Sequence, residues 1–506
     1  MTLISLLLLI TLIVPAFLDP TNIFPESLSA ICLGVSMLST NISIEKPFSI
    51  FKFSISFEES EETFREKAII NNRCKKNLKF NFSMIKIIPV ALFFLSFFAS
   101  LVSNAWLRIL AKKKNFLIDR PDKYRKFHKD PTPLTGGIGI TFGIIFSGIF
   151  LFFLTDPNYI SEVSSNNFLG QEQNESFEIK VNDEKGITIE RINDDSFSIT
   201  LPNGNKNIYK ISDIGETELI STINHSKDLI VSNFSFGLVL FTILLQFLMI
   251  FNDLQGLKAF TRLLMQAACT GGLIFFSGIY IESLGNLFGF GELFLGFWGI
   301  PFTIFCIVGM INAFNMIDGL NGLCASLCLI CFTAIIYMIN ADTVPSLFPL
   351  ILPMGAITGF LMYNLGILGN QRTVFLGDNG SNALGFMCAW ILVYFSSVEN
   401  SNFAPVTALW FVAIPFFDAV GVMASRAIKG IMPLSPGRDH LHHKLLDIGL
   451  SSNAIYVVLI FISALFAAVG YIFNQSFSGS HYISFYAFVI LWLCYYLLTR
   501  YISKNV

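Results

Sequence analysis

The chain has 506 residues, of which 53% are hydrophobic and 13% charged, with a mean hydropathy of +0.64. Soluble domains carry about 25% charged residues, so an ordinary water-soluble globule is excluded, and the long apolar runs predict an all-α polytopic membrane protein. The formal net charge of −2 is silent on partners; no nucleic acid is expected, and the placement of the charges says more.

Residues 1–83 come first, as an extension of open status. Leu3–Phe17 is apolar but short for a span and lacks a basic leader, which makes it a poor signal peptide. Either this segment is a lineage-specific addition, or Met84, just ahead of the first convincing span, is the natural start. Residues 84–154 hold two spans, near Ile87–Leu107 and Gly137–Leu154, joined by a basic loop. Nine more fall near Phe234–Phe251, Leu263–Ile281, Phe294–Met310, Gly322–Ile339, Leu347–Leu368, Asn382–Phe395, Phe403–Met423, Ala454–Phe473 and Ile483–Tyr501, giving about eleven transmembrane helices in all. Most approach the ~20 residues that a crossing helix needs. The spans starting at Gly137, Asn382 and Phe294 are marginal.

Lys and Arg set the orientation. The first loop carries Lys112, Lys113, Lys114, Arg120, Lys123, Arg125, Lys126 and Lys129 and is predicted to be cytoplasmic. Alternation then puts Asn252–Arg262, Asn312–Asn321, Arg372–Asp378, Ser425–Gly449 and the C-terminal tail on the same face. The opposite loops near Glu282–Glu292, Asn340–Pro345 and Val398–Asn402 contain no Lys or Arg. The largest opposite-face segment, residues 155–233, is an insertion with 14 acidic and 6 basic residues, net −8. Alternation at Phe177–Val181, Ile187–Ile192 and Phe197–Leu201, more weakly at Ile208–Ile211, with turns at Asn182–Gly186 and Pro202–Asn205, predicts a small β-rich extracytoplasmic subdomain; the alternative is a disordered acidic loop. Residues 234–506 form the remaining transmembrane core. Cys324, Cys328 and Cys331 share a helix face and are read as small packing residues, since nothing near them has zinc spacing.

Five polar segments sit at span ends on the predicted cytoplasmic face: Arg125–Gly137, Asn252–Arg262, Asn312–Leu323, Arg372–Ser381 and Arg438–Lys444. In Asn312-Ala-Phe-Asn315-Met-Ile-Asp318-Gly-Leu-Asn321-Gly, the polar residues recur every third position and would share one helical face, as a site or as helix caps. Gly377-Asp378-Asn-Gly380-Ser381 sets one Asp between glycines, suited to a hard cation beside backbone N–H groups that favour phosphate, or again to a cap. Asn252-Asp253 with Arg262 reads as an ion pair or as a phosphate site. Arg438-Asp-His440-Leu-His442-His443 gathers three of the six histidines beside an arginine; phosphate binding suits this cluster better than a transition metal.

In this order the motifs resemble the polyprenyl-phosphate N-acetylhexosamine-1-phosphate transferase superfamily, of the glycosyltransferase 4 type, and its WecA-like branch in particular. The resemblance runs from Met84 to the C-terminus apart from the insertion, with support from Arg125-Lys126-x-His128-x-x-Pro131-x-Pro133. The histidine cluster differs from the three-histidine Phe-Glu form of the muramyl-pentapeptide branch. The resemblance implies transfer of a sugar 1-phosphate, by default N-acetylglucosamine 1-phosphate, from a UDP-sugar to undecaprenyl phosphate at the cytoplasmic face of the inner membrane, releasing UMP and starting a cell-envelope glycan. It implies Mg²⁺, with Mn²⁺ as an alternative, held by Asp378 and Asn315. It implies catalytic roles for Asp253, Asn252, Asp318 and His440, and substrate binding by Arg262, Asn321, Arg438, His442, His443, Arg372 and His128. A homodimer is the guess for assembly. The family usually has two adjacent aspartates where this chain has Asn252-Asp253, and an arginine where it has Leu134. An amide cannot act as a base, so a catalytically silent lipid-carrier or nucleotide binder is the second reading. A transporter is the third, disfavoured because the polar residues gather in loops on one face.

Overall fold

The computed structural model describes residues 61–121, 130–154, 176–179, 187–193, 196–200, 206–211, 217–223, 225–339, 347–397, 402–433, 437–477 and 479–505. The expectations for residues 1–60, for the stretch 122–129 with Arg125, Lys126 and His128, and for the turns at 182–186 and 202–205 lie outside these. In chain order the elements are α1 (Glu61–Lys114), β1 (Ile118–Asp119), β2 (Thr132–Pro133), α2 (Gly136–Leu154) and the strands β3 (Ser176–Ile179), β4 (Ile187–Asn193), β5 (Ser196–Thr200), β6 (Lys206–Ile211) and β7 (Thr217–Ile223). Helices follow: α3 (His225–Gln255), α4 (Ala259–Ser277), α5 (Gly299–Ile317), α6 (Leu323–Met338), α7 (Phe348–Asn364), α8 (Gly377–Ser397), α9 (Pro405–Phe411), α10 (Ala413–Ile428), α11 (Leu441–Asp447), α12 (Ser452–Ser476) and α13 (His481–Asn505).

The chain divides into two compact units, one including Ile88–Phe150 and Phe234–Val506, the other including Leu151–Asn233. In the second, β3 to β7 pair in sequence order as an antiparallel meander. Its register sets Phe177 opposite Ile189 and Ile189 opposite Ile199. The final strand, in Thr-Glu-Leu-Ile-Ser-Thr-Ile, was not among the expected ones; its pairing with β6 is interrupted by a register shift at Ile208/Tyr209.

The first unit is helical. Among the described residues, six helices are long and apolar enough to cross a membrane, or seven if the bent pair α9–α10 is one span. The other expected spans fall on helices that do not meet that measure, three of them shorter and apolar. α6 and α7 have only 16 and 17 residues. Together with α8 they are buried almost all round. A helix apolar on every side is as much the signature of a bundle centre as of a lipid-facing span, and sequence alone does not separate the two. The expected straight span Phe403–Met423 is broken, with α9 and α10 meeting at 88°. Pro415 explains the break: its ring would displace the carbonyl of Phe411 in a continuous helix, and it has no N–H to donate there.

Small residues let the central helices touch. A Cβ on Gly355 would lie 2.3 Å from the Phe93 carbonyl oxygen, and one on Gly359 2.5 Å from that of Phe97. This four-residue glycine spacing on α7 seats α1 against it, in the small-residue packing that replaces hydrophobic drive inside membranes. Ser96 Oγ seals the contact by donating to the Leu352 carbonyl at 2.7 Å.

Candidate active site

The N-terminus of α8 is the nucleus of the site. Its first N–H groups have no acceptor within the helix, and α3 supplies one. Asp253 Oδ1 accepts from the Asp378 backbone N–H at 3.0 Å, while Oδ2 accepts from the Asn379 backbone at 3.1 Å and from Asn379 Nδ2 at 2.6 Å. A carboxylate from one helix therefore caps another and lies at the positive end of its dipole. The segment from β2 to the first residues of α2 locks the same turn. Phe375 N–H donates to the Pro133 carbonyl at 2.8 Å, Gly136 N–H to Phe375 at 3.0 Å, and Asn379 Nδ2 to Leu134 at 3.1 Å. At Leu134, then, the backbone carbonyl contributes to the site.

With its N–H occupied, Asp378 turns its carboxylate toward three other segments. Asn252 Nδ2 donates to Oδ2. Asn315 Nδ2 donates to Oδ1 at 2.9 Å and also reaches Ser381 Oγ at 2.9 Å. Arg262 Nη1 stands 3.7 Å from Oδ2. The Asn252 orientation is fixed from the other side, where its Oδ1 accepts from the Leu257 N–H at 2.9 Å. Asp378 keeps 38% of its side chain exposed and Arg262 25%, so the pair faces an opening. Behind it runs a chain of amides: Asn312 Nδ2 to Gln266 Oε1 at 2.7 Å, Gln266 Nε2 to Asn382 Oδ1 at 2.7 Å, and Asn382 Nδ2 to the Asp378 carbonyl at 2.7 Å. Asp318 follows α5 directly. Burial, then the charges of Asp378 and Asp253, push its carboxyl up to about 8.

The histidine segment forms a second cluster. His440 Nδ1 lies 2.8 Å from Asp418 Oδ2, and Asp418 Oδ1 accepts from the Leu441 N–H at 2.8 Å and the Tyr495 hydroxyl at 3.2 Å. Arg426 donates to both Asp439 oxygens, at 2.9 and 2.6 Å, and to the Pro433 carbonyl at 3.0 Å. Burial tends to raise the Asp439 carboxyl, but Arg426 outweighs it and the group titrates below its ordinary value. His442 is 1% exposed, and among the described residues neither ring nitrogen has a hydrogen-bond partner. Burial, then the neighbouring His443, push its imidazole down to about 3. A Cβ on Gly319 would lie 2.0 Å from His442 Nε2. A glycine after Asp318 thus admits the imidazole and joins the two clusters.

The structure therefore brings together Asn252, Asp253, Arg262, Asn315, Asp318 and Asp378, and sets His442 with its neighbours His440 and His443 against the Asp318–Gly319 turn. Arg438 lies on the histidine segment, 3.6 Å from Asp447. Asn321 and Arg372 are exposed; among the described residues no hydrogen bond ties either to Asp378. His128 lies outside the described residues. Sequence reasoning passed over Asn379, Gln266, Asp418 and Arg426. Asp418 had a visible signal, as a lone acid within the apolar run Phe403–Met423.

Among the described residues, no three His, Cys, Asp or Glu side chains are grouped to hold a metal unaided. The donor set nonetheless fits a hard dication of the kind that takes one or two carboxylates and completes its shell with waters and substrate phosphates. Asp378 is partly open, an asparagine amide adjoins it, and Asp318 bears the repulsion of two further acids.

Fold and site define a class: a multi-pass helical membrane protein with carboxylates, amides and a guanidinium gathered at helix ends. The model of glycosyl transferase family 4 matches residues 235–396. The undecaprenyl-phosphate alpha-N-acetylglucosaminyl 1-phosphate transferase of Escherichia coli K12 is 36% identical over 255 residues, spanning 50% of this chain and 68% of the relative. The Haemophilus influenzae protein of the same name is 36% identical over 251 residues, spanning 49% and 70%. The chain belongs to glycosyl transferase family 4, the superfamily its motifs resemble.

Proposed function

We propose that this protein transfers N-acetylglucosamine 1-phosphate, or a closely related N-acetylhexosamine 1-phosphate, from a UDP-sugar to undecaprenyl phosphate at the cytoplasmic face of the inner membrane, releasing UMP and starting a cell-envelope glycan. The names of its relatives support the acceptor and the transferred group. The observation that carries the reading is the Asp378 carboxylate, held between Asn252, Asn315 and Arg262 and left partly open.

An oxygen of the lipid phosphate attacks the phosphorus bearing the sugar. The bond from that phosphorus to the bridging oxygen breaks, and UMP leaves with the bridging oxygen. Every participant is anionic, so electrostatic compensation is the main requirement. Asp378 and Asn315 would hold Mg²⁺, or Mn²⁺ in its place, which when bound supplies positive charge to the diphosphate. Arg262 adds a guanidinium fork matched to phosphate oxygens. Asp253 has both oxygens engaged by the α8 N-terminus and acts by positioning Asp378. Asn252 cannot take a proton, and none need be taken: a phosphate monoester with a second pKa of about 6 is already largely dianionic at neutral pH. His440, His442, His443 and Arg438 line up on one segment to meet the diphosphate and sugar, and Asn321 is assigned to the uracil.

The test is an assay of the purified full-length chain with UDP-N-acetylglucosamine, undecaprenyl phosphate and Mg²⁺. UMP release together with a lipid-linked sugar phosphate supports the reading. Nucleotide binding with no release supports a silent family member. Profiling against other UDP-N-acetylhexosamines would then fix the sugar.

A further inference from the structure

α10 carries two charged side chains that no substrate-binding motif contains, Asp418 and Arg426, 2% and 4% exposed. An unpaired charge at that depth would be strongly destabilising. Both are matched, and both by the segment that presents the histidines. Arg426 grips its entrance through Asp439 and the Pro433 carbonyl. Gly437 makes room for the grip, since a Cβ there would lie 2.5 Å from Arg426 Nη2. Asp418 takes the next residues, His440 through Nδ1 and Leu441 through its N–H. Tyr495, on α13, closes the set by donating its hydroxyl to Asp418. The helix thus fastens consecutive residues of the segment, 439 to 441, immediately before His442 and His443.

We propose that Asp418 is a positioning residue for the transfer reaction, which fixes the ring orientation and tautomer of His440 so that Nε2 addresses the phosphate groups of the sugar nucleotide; this rests on the functional reading above. The chemistry follows from the contact. A carboxylate accepting from Nδ1–H leaves Nε2 as the ring nitrogen for a ligand. Anchoring one ring nitrogen also removes rotation about the side-chain torsions, so the other meets substrate in one place. The Leu441 N–H bond adds the backbone to the same constraint, and Tyr495 holds the carboxylate from its far side. Arg426 serves the same segment as an electrostatic clasp one residue earlier.

The test is a double-mutant cycle on the full-length chain in detergent, with KM for UDP-N-acetylglucosamine and kcat measured separately. Asp418→Asn keeps the size and removes the charge; transfer efficiency is expected to fall about 10- to 100-fold, by analogy with the range for removing the hydrogen-bond partner of a metal-bound histidine. In a His440→Ala background the same substitution should cost nothing further, because its effect passes through that ring. Tyr495→Phe, which deletes one hydroxyl, is the milder member of the series: a several-fold loss that also vanishes in the His440→Ala background. It serves in place of Asp418→Asn if that variant fails to fold. A loss that multiplies with His440→Ala, or unchanged kinetics in a folded variant, overturns the proposal while the functional reading stands. Absence of turnover in the unsubstituted chain overturns both.

Discussion

Around Asp378 the protein meets both carboxylates, Asp253 and Asp378, with its own amides and N–H donors, leaving only Asn379 Oδ1 and Arg262 Nε unmatched there, whereas at the histidine segment it buries both ring nitrogens of His442 with no partner among the described residues. The first arrangement is pre-set. Asp253, Asn252 and Asn315 hold a single carboxylate in place before any ligand arrives. The second is incomplete by itself, since a buried donor or acceptor without a partner costs about 1–3 kcal/mol. A substrate that supplies the missing partner recovers that cost at the moment of binding. One region fixes a charge, then, and the other leaves two buried ring nitrogens that a bound ligand would match. The turn at Asp318–Gly319 is where they meet.

The largest test removes the fixed charge. Asp378→Asn keeps the shape and the cap from Asp253, which uses the backbone N–H. We expect kcat to fall by about 10²–10³-fold, the scale for deleting one pre-placed electrostatic group, with thermal stability little changed. Retained turnover would break the comparison, because Asp378 would then be only another filled valence. Next comes Gly319→Ala. The added methyl would need the space of His442 Nε2, so the imidazole must shift. A displacement near 1 Å can cost up to about 10²-fold, and we expect that loss mainly in kcat/KM for the UDP-sugar. The smaller third test is Asn252→Asp. It replaces a donor to Asp378 by a second carboxylate. At saturating Mg²⁺ turnover should change by no more than about fivefold, the scale of one ordinary hydrogen bond, while less Mg²⁺ should suffice for half-maximal rate. A rise from no activity to robust activity would show that the chain as it stands is silent.

Much of the first region was legible in the sequence, and less of the second. Asn252, Asp253, Asn315, Asp318 and Asp378 stand at span ends in short motifs, so topology counting alone collects them on one face. What the motifs do not reveal is direction. Asp253 looks like half of an acidic pair, yet its carboxylate is turned into the α8 N-terminus. The supports of the second region come from residues far from any motif. Asp418 is marked only as a lone acid inside an apolar run, Arg426 lies just beyond that run, and Tyr495 is 77 residues from the carboxylate it contacts. The span count stays open for a related reason. Periodicity and apolarity report that α6, α7 and α8 avoid water, and protein neighbours satisfy that as well as lipid does.

The smallest effect concerns pH and bears on the unfilled side of the comparison. Burial, followed by the charge of His443, holds the His442 imidazole neutral, down to about 3 against 6.5 for the free side chain. A histidine whose folded value is depressed binds protons more readily when unfolded. Its stabilising share is thus present above 6.5 and is lost as pH falls toward 3. Thermal melting of the ligand-free protein in detergent should accordingly weaken on acidification through this window, and His442→Gln, which has no such proton to bind, should flatten that part of the curve. UDP-N-acetylglucosamine at saturating concentration should sharpen the contrast if it donates to a ring nitrogen, since that bond is made only to the neutral ring. Its stabilisation should then fade as the pH drops toward the His442 value in the unsubstituted chain, and fade less in His442→Gln. Identical acid limbs for the two proteins, with and without nucleotide, would mean that the imidazole is not the withheld partner and that the difference between the two regions lies elsewhere.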